Sequence, residues 1–354
     1  MTFTIGSRLV GDDEPTYFIA DIAANHDGEL DRAVDLIRLA AEAGADAAKF
    51  QNFTAAKIVS DYGFKALGGQ QSHQAGWSKS VFEVYADASI PAEWTPTLKA
   101  ACDEHGIDYF SAPYDLEAID MLDAHVPAYK VGSGDVDWLD SIRAMAAKGK
   151  PVLVATGAAS LADVVAAVET VTAINPAICL MQCNTNYTGD PANLRYINLR
   201  VLETYRQLFP DAVLGLSDHT AGSVTVLGAI ALGARVVEKH FTDDTSRVGP
   251  DHGFSMDPEG WRAMVESARG LEAALGSPLK QVEPNEVETV VLQRRCLRAG
   301  RDLAAGTVLT AEDIEILRPA TPGALPPNAL NDAVGRSVRR DLVFGQELTW
   351  SDLD

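Results

Sequence analysis

Only ten lysines occur in the 354 residues, and two of them, Lys49 and Lys130, stand inside the apolar runs DAAKFQ (46–51) and AYKVGSG (128–134). A buried ammonium without a counter-charge is costly, so each requires an anion. As a pair, with the hydroxyls of Ser133, Thr185 and Ser217, they would hold a phosphate or a phosphate-carboxylate substrate. The competing reading is a structural ion pair of each lysine with Asp21 or Asp135. His219 and His240 close two further apolar runs, AVLGLSDH (212–219) and ARVVEKHF (234–241). Two imidazoles with Asp21 or Glu238 supplying carboxylate contacts suit a divalent ion acting as Lewis acid; hydrogen-bonded rim histidines are the bland alternative. A lysine imine, as in a Schiff-base aldolase, would need a lysine of depressed pKa and no metal. The lysine pair taken with the histidine pair fits a metal and phosphate site better. His73, His105 and His125 lie in helix or loop contexts and read as structural.

These residues end strand-like runs, as do Asp21, Asn25 and His26 after YFIADIAA (17–24), Gln51, and Asn184, Thr185, Asn186 and Tyr187 after AICLMQCN (177–184). With IDYFSAP (107–113) and PVLVATG (151–157) the strand candidates number eight. Helical patterns follow them in turn at 29–44, 92–105, 115–124, 138–148, 160–173, 198–209, 221–232 and 257–275, several closed by glycine. Eight such units predict a (β/α)8 TIM barrel, whose catalytic groups sit at the C-terminal ends of its strands. No G-x-G-x-x-G turn follows the first run, which disfavours a doubly wound sheet. Residues 52–90 form a connection far beyond the ~2–6 residues usual for a βα loop and read as a substrate loop or lid. The pattern changes near 280, predicting a barrel domain over 1–280, a linker over 281–292 and a small β-rich domain over 293–354.

The formal charge of −21 repels phosphodiester backbones and anionic membranes, so neither nucleic acid nor membrane is an expected partner. The four cysteines read as reduced thiols, and the N-terminus has no basic stretch followed by an apolar one, so a cytoplasmic location is expected.

Taken together, IADIAANHDG (19–28), AGADAAKFQNF (43–53), VPAYKVGSGD (126–135), KPVLVATG (150–157), GLSDHTAG (215–222), VVEKHFTDD (236–244) and GPDHGFSMDP (249–258) resemble the N-acetylneuraminate (sialic acid) synthase family. The stretch LRAGRDLAAGTVLTAEDIEILRPATPG (297–323) resembles that family's C-terminal antifreeze-like (SAF) domain. The resemblance implies condensation of phosphoenolpyruvate with an open-chain N-acetylated hexosamine aldehyde to a nonulosonic acid and phosphate. It implies Mn2+, or else Mg2+ or Co2+, on His219 and His240. Lys49, Lys130, Ser133, Asn184, Thr185 and Ser217 would hold substrate, chiefly phosphoenolpyruvate; Gln51, Tyr187, Asp251 and Asp21 would line the sugar pocket. Asp21, Asp135 and Glu238 stand where the family has acidic groups near the reacting atoms. The family's domain-swapped homodimer implies that Arg318 reaches into the partner's sugar site.

The chain departs from the family's usual residues at Asp21 (usually Glu), Ala112 and Ala155 (usually Ser or Thr), Gln182 (usually His) and Thr188 (usually Pro). These departures leave the acceptor open between N-acetylmannosamine, a 2,4-diacetamido sugar of the legionaminate or pseudaminate type, and a non-acetylated aldose. They also keep a non-catalytic sugar-binding homologue as the alternative class.

Overall fold

The computed structural model describes residues 1–68 and 72–354, with Ser72 and His73 described by backbone alone, so the side chain of His73 lies outside the described residues. A hairpin that the periodicity did not predict comes first: Thr2–Ile5 (β1) pairs antiparallel with Arg8–Gly11 (β2), turning at Gly6, whose φ of +56° favours glycine.

Eight parallel strands then follow among the described residues: Tyr17–Asp21 (β3), Ala47–Asn52 (β4), Asp108–Pro113 (β5), Tyr129–Val131 (β6), Val152–Ala155 (β7), Ile178–Cys183 (β8), Val213–Asp218 (β9) and Ala234–His240 (β10). Their order, β5-β4-β3-β10-β9-β8-β7-β6, is that of a TIM-like barrel nearly closed by β5 lying beside β6. Helices follow the strands in turn, the first over Leu30–Glu42 and the last over Pro258–Leu275. Gly44, at φ +93°, supplies the left-handed residue that lets the first turn back into β4.

Side-chain alternation decides what faces the barrel axis. In β3, Tyr17 and Ile19 join the inner cluster, whereas Phe18 and Ala20 pack outward against the helices. The inner cluster includes Ile5 and Val10 of the hairpin together with Tyr17, Ala47, Ala128 and Val213 from the strand starts, so the hairpin stoppers the N-terminal mouth. One pleat further along each strand the inward positions turn polar, and the site lies there.

The same rule places Lys239, a third strand lysine that the sequence reading passed over. It points outward and is fully buried; its Nζ lies 2.6 Å from Asp218 Oδ2, and Asp218 also accepts from the Thr220 and Thr225 hydroxyls. That pairing ties two strands to the following helix and does not line the cavity.

The chain divides into two units, Met1–Gly276 and Ser277–Asp354. In the second, the expected linker stretch carries the helix Val287–Gln293. Cys296–Ala299 (β11) pairs antiparallel with Ile314–Leu317 (β12). This unit contains a repeat, RDLAAGTVLTAED (301–313) and RDLVFGQELTWSD (340–352). The two copies bond reciprocally: Ala305 N donates to Asp341 and Phe344 N to Asp302, both at 2.8 Å. Arg301 reaches Asp313 at 2.7 Å and Arg340 reaches Asp352 at 2.6 Å, each acid closing its own capping box. So short a unit needs such devices, because a core built on Leu297, Leu303, Leu342 and Leu348 is small. Among the described residues, no helix is long and apolar enough to cross a membrane.

Candidate active site

Twelve of the fifteen residues singled out above meet in one cavity of about 350 Å³ at the C-terminal ends of the strands: Asp21, Lys49, Gln51, Lys130, Ser133, Asp135, Tyr187, Ser217, His219, Glu238, His240 and Asp251. Lys49 Nζ donates to Asp21 Oδ2 at 2.6 Å and lies 3.8 Å from Glu238 Oε1. Lys130 Nζ donates to the same Glu238 oxygen at 2.7 Å, and Ser217 Oγ reaches it at 3.2 Å. Both lysines therefore pair with carboxylates while lining the cavity. Lys49 takes the Asp21 partner named as an alternative, whereas Lys130 takes Glu238 rather than Asp135. Asp135 has left the strand by then, in the single turn Ser133–Asp135.

Burial raises the Glu238 carboxyl, but Lys130 and Lys49 outweigh it and hold the group at about 2. Burial pushes Asp21 above its ordinary range, with Lys49 opposing and Glu238 reinforcing. Of the two acids between the lysines, Glu238 is thus the fixed anion and Asp21 the readier proton acceptor.

The histidine rings of β9's end and β10 stand 5.3 Å apart, centre to centre. Burial holds both near 3, reinforced at His219 by His240 and at His240 by Lys49, so both are neutral at physiological pH. His219 Nδ1 lies 3.0 Å from the main-chain oxygen of Asn184. A carbonyl can only accept, so Nδ1 carries the proton and Nε2 keeps a lone pair. His240 Nε2 is 3.6 Å from Asp21 Oδ2, and its Nδ1 is buried without a partner. Neutral rings with unclaimed nitrogens beside a carboxylate are a donor set that fits a divalent cation. Among the described residues no group of three or more His, Cys, Asp or Glu is spaced to enclose an ion, so water or substrate would complete the coordination.

Burial lifts Asp135 and Asp251 to about 6 each, Asp137 adding to the first. Asp251 accepts from Ala24 N at 3.1 Å. Its loop is fastened by the next residue, His252, whose ring nitrogens lie 2.9 Å from Asp27 Oδ1 and 2.7 Å from Thr242 Oγ1. Asn25 donates to Phe241 O and Ser255 Oγ, both at 2.9 Å, so the rim residues Asn25 and Asp27 serve to clasp the first and last loops.

Three predicted residues lie elsewhere. Thr185 packs behind Ser133 against Gly157, where a Cβ would come within 2.6 Å of Thr185 Cγ2. Asn184 contributes its carbonyl to His219, while its amide turns away toward Tyr196 O at 3.3 Å. Arg318 is an exposed residue of the second unit, its Nε donating to Gln293 O at 2.6 Å. Of the five departures from the family pattern, Asp21 alone lines the cavity. Gln182 points outward to Ile197 O at 2.9 Å.

The 52–90 insertion, read above as a substrate loop or lid, does line the cavity, but the sequence reading did not name the apolar residues that do so. Phe53, Ile58, Trp77, Val84 and Tyr85 come from the 52–90 insertion, and Tyr114 joins them from beyond β5. Helices at Ala55–Ile58 and Val81–Ala88 carry Ile58, Val84 and Tyr85 of it. The signal available was the density of aromatic and aliphatic residues in a segment too long for a turn.

A model of the NeuB family matches residues 36–280, and one of the SAF domain matches residues 294–354. The chain is similar to N-acetylneuraminate-9-phosphate synthase of Homo sapiens, 34% identical over 94% of this chain and 90% of that protein. It is similar to the N,N'-diacetyllegionaminic acid synthase of Legionella pneumophila, 33% identical over 99% of this chain and 98% of that one. Among solved structures it resembles the spore coat polysaccharide biosynthesis protein SpsE from Bacillus subtilis, with TM-score 0.66, 31% identity and coverage of 100% and 99%.

Proposed function

The chain belongs to the NeuB family, and from that premise we propose that it condenses phosphoenolpyruvate with the open-chain aldehyde of an N-acylated amino sugar, releasing a nonulosonic acid and phosphate. The observation that carries this reading is the convergence of Lys49, Lys130, His219 and His240 on one cavity. Two ammonium and two carboxylate groups make its floor neutral as it stands. A phosphate and a carboxylate arriving there need further positive charge, which two neutral imidazoles can recruit only by ligating a cation.

Lys49 and Lys130 turn from Asp21 and Glu238 toward the phosphate and carboxylate oxygens, exchanging one charge-assisted bond for another. Ser133 and Ser217 add hydroxyl donors. The enol C3 then attacks the aldehyde carbon, water adds at the electron-poor C2, and the tetrahedral C2 centre expels phosphate as its carbonyl forms. A carboxylate that burial holds above its ordinary range, Asp21 or Asp135, takes one proton of the water and returns it to the alkoxide oxygen on the former aldehyde carbon, and the second proton leaves with phosphate as the C2 hydroxyl becomes a carbonyl. A divalent ion on His219 and His240, Mn2+ first with Mg2+ or Co2+ as substitutes, would supply Lewis-acid polarisation of the aldehyde oxygen. Incubating the protein with phosphoenolpyruvate, N-acetylmannosamine and Mn2+ should yield one phosphate per 2-keto acid formed. Binding of both substrates with no phosphate released from any acylated acceptor would make the chain a sugar-binding homologue instead.

We place the working assembly as a domain-swapped homodimer in the cytoplasm, with Arg318 of one subunit directing donors onto the other's acceptor. In such a dimer, an Arg318→Ala chain mixed with a His240→Ala chain should regain activity toward about a quarter of wild type, because each heterodimer has one site with both parts intact. Proven subunit exchange without recovery would overturn the swap.

A further inference from the structure

The cavity's two ends differ in kind. Every cation that lines it among the described residues, Lys49 and Lys130, sits on the floor. The opposite wall, from the insertion, is Phe53, Ile58, Trp77, Val84 and Tyr85, bordered by the carboxylates of Asp135 and Asp251. The insertion does contain lysines, but none of them lines the cavity: Lys57 reaches Glu117 at 2.7 Å, Lys65 reaches Asp61 at 2.6 Å, and Lys79 reaches Asp87 at 2.6 Å. The wall is also preformed. Ala55, Val59 and Val81 give the insertion its own apolar cluster, and the Phe53 ring packs 5.5 Å from Tyr85 and 5.7 Å from Tyr114.

Resting on the reaction proposed above, we infer that the acceptor is an uncharged aldose whose far end carries apolar substituents, acylamino methyls or a deoxy carbon, and that hexosamine phosphates are poor substrates. A terminal phosphate would lie between two carboxylates and a wall that offers neutral hydroxyls such as those of Tyr85 and Tyr114 but, among the described residues, no cation to offset its charge. A methyl group displaces water there and packs against Phe53, Ile58 and Val84. Of the two synthases compared above, the chain would thus share its acceptor chemistry with the diacetylated type.

Three acceptors decide this at saturating phosphoenolpyruvate and Mn2+: N-acetylmannosamine, its 6-phosphate, and 2,4-diacetamido-2,4,6-trideoxymannose. The 6-phosphate should fall at least about tenfold below N-acetylmannosamine in kcat/KM, and the trideoxy sugar should exceed it by about tenfold or more, the usual scale for a methyl-sized difference in an apolar pocket. Val84→Thr keeps the shape but adds a hydroxyl, and should shrink the trideoxy preference severalfold. A preference for the 6-phosphate would overturn the inference, and its loss in Arg318→Ala would locate the missing cation on the partner's arm. Equal use of the acylated sugars would overturn it too. If no acceptor releases phosphate, the proposed reaction fails while calorimetry still decides the inference: tighter binding of the 6-phosphate than of the trideoxy sugar would sink it.

Discussion

Dialysis against excess chelator should bring phosphate release down to the buffer background, and Mn2+, Mg2+ or Co2+ added back should restore it. The expectation rests on charge. Ion pairing has already spent both lysine charges, Lys49 against Asp21 and Lys130 against Glu238. Burial keeps His219 and His240 near 3, so neither ring becomes a cation at neutral pH to help an anionic substrate. What the rings do offer is unprotonated nitrogen, oriented at His219 by the Asn184 carbonyl. Calorimetric titration of Mn2+ into substrate-free protein should show one site per chain, weakened in His240→Ala by more than the ~10–100-fold that loss of an outer-shell partner costs. Because His240 is buried, thermal denaturation of that variant without metal must accompany the titration, separating lost affinity from lost fold. Undiminished turnover in chelator would remove the metal from the mechanism.

The barrel and the floor of its site were legible because period-two alternation does two jobs at once. It marks a strand, and it marks which of that strand's polar residues face the axis: Asp21 with Ile19, His240 with Glu238. Lys239 shows the limit of reading residue type without that parity, since one position's shift turns an apparent site lysine into a strut for Asp218. Thr185 and Asn184 follow β8, where the chain has left the ladder and alternation no longer says where a side chain points. The carbonyl that orients His219 belongs to the main chain, which every residue type supplies, so no side-chain signal could announce it. The individual residues of the apolar wall escaped for a different reason: short helices at Ala55–Ile58 and Val81–Ala88 are held by tertiary contacts within the insertion and have too few turns to show a period. The reciprocal repeat of the second unit was visible as text, yet its meaning depends on pairing across 36 residues, Ala305 with Asp341.

Lys130→Met should damage stability and catalysis by separable amounts. Lys130 and Glu238 are both about 95% buried side chains, 2.7 Å apart, and removing one partner of such a pair leaves an uncompensated charge, a loss of about 3–5 kcal/mol. The pH dependence identifies the cause. In the wild type, Lys130 and Lys49 hold Glu238 near 2 against an ordinary 4.5, so the ionised carboxylate contributes stability above pH 4.5 that disappears as pH falls toward 2. In the variant burial is opposed by Lys49, at 3.8 Å, and the Ser217 hydroxyl but no longer by Lys130, so the carboxyl pKa must rise, and lowering the pH protonates it and relieves the penalty. The gap in unfolding free energy between the two proteins should therefore be widest near neutrality and narrow on acidification; a gap independent of pH would trace the loss to packing instead. Lys130→Met/Glu238→Leu removes both charges and should recover much of the stability. It should not recover phosphoenolpyruvate use, because the lost ammonium contributes a charge-assisted contact of about 1.5–3 kcal/mol, a fall of roughly 10–150-fold in kcat/KM for phosphoenolpyruvate. A double variant that regained both would make the pair a structural strut, and the phosphate would have to be held elsewhere.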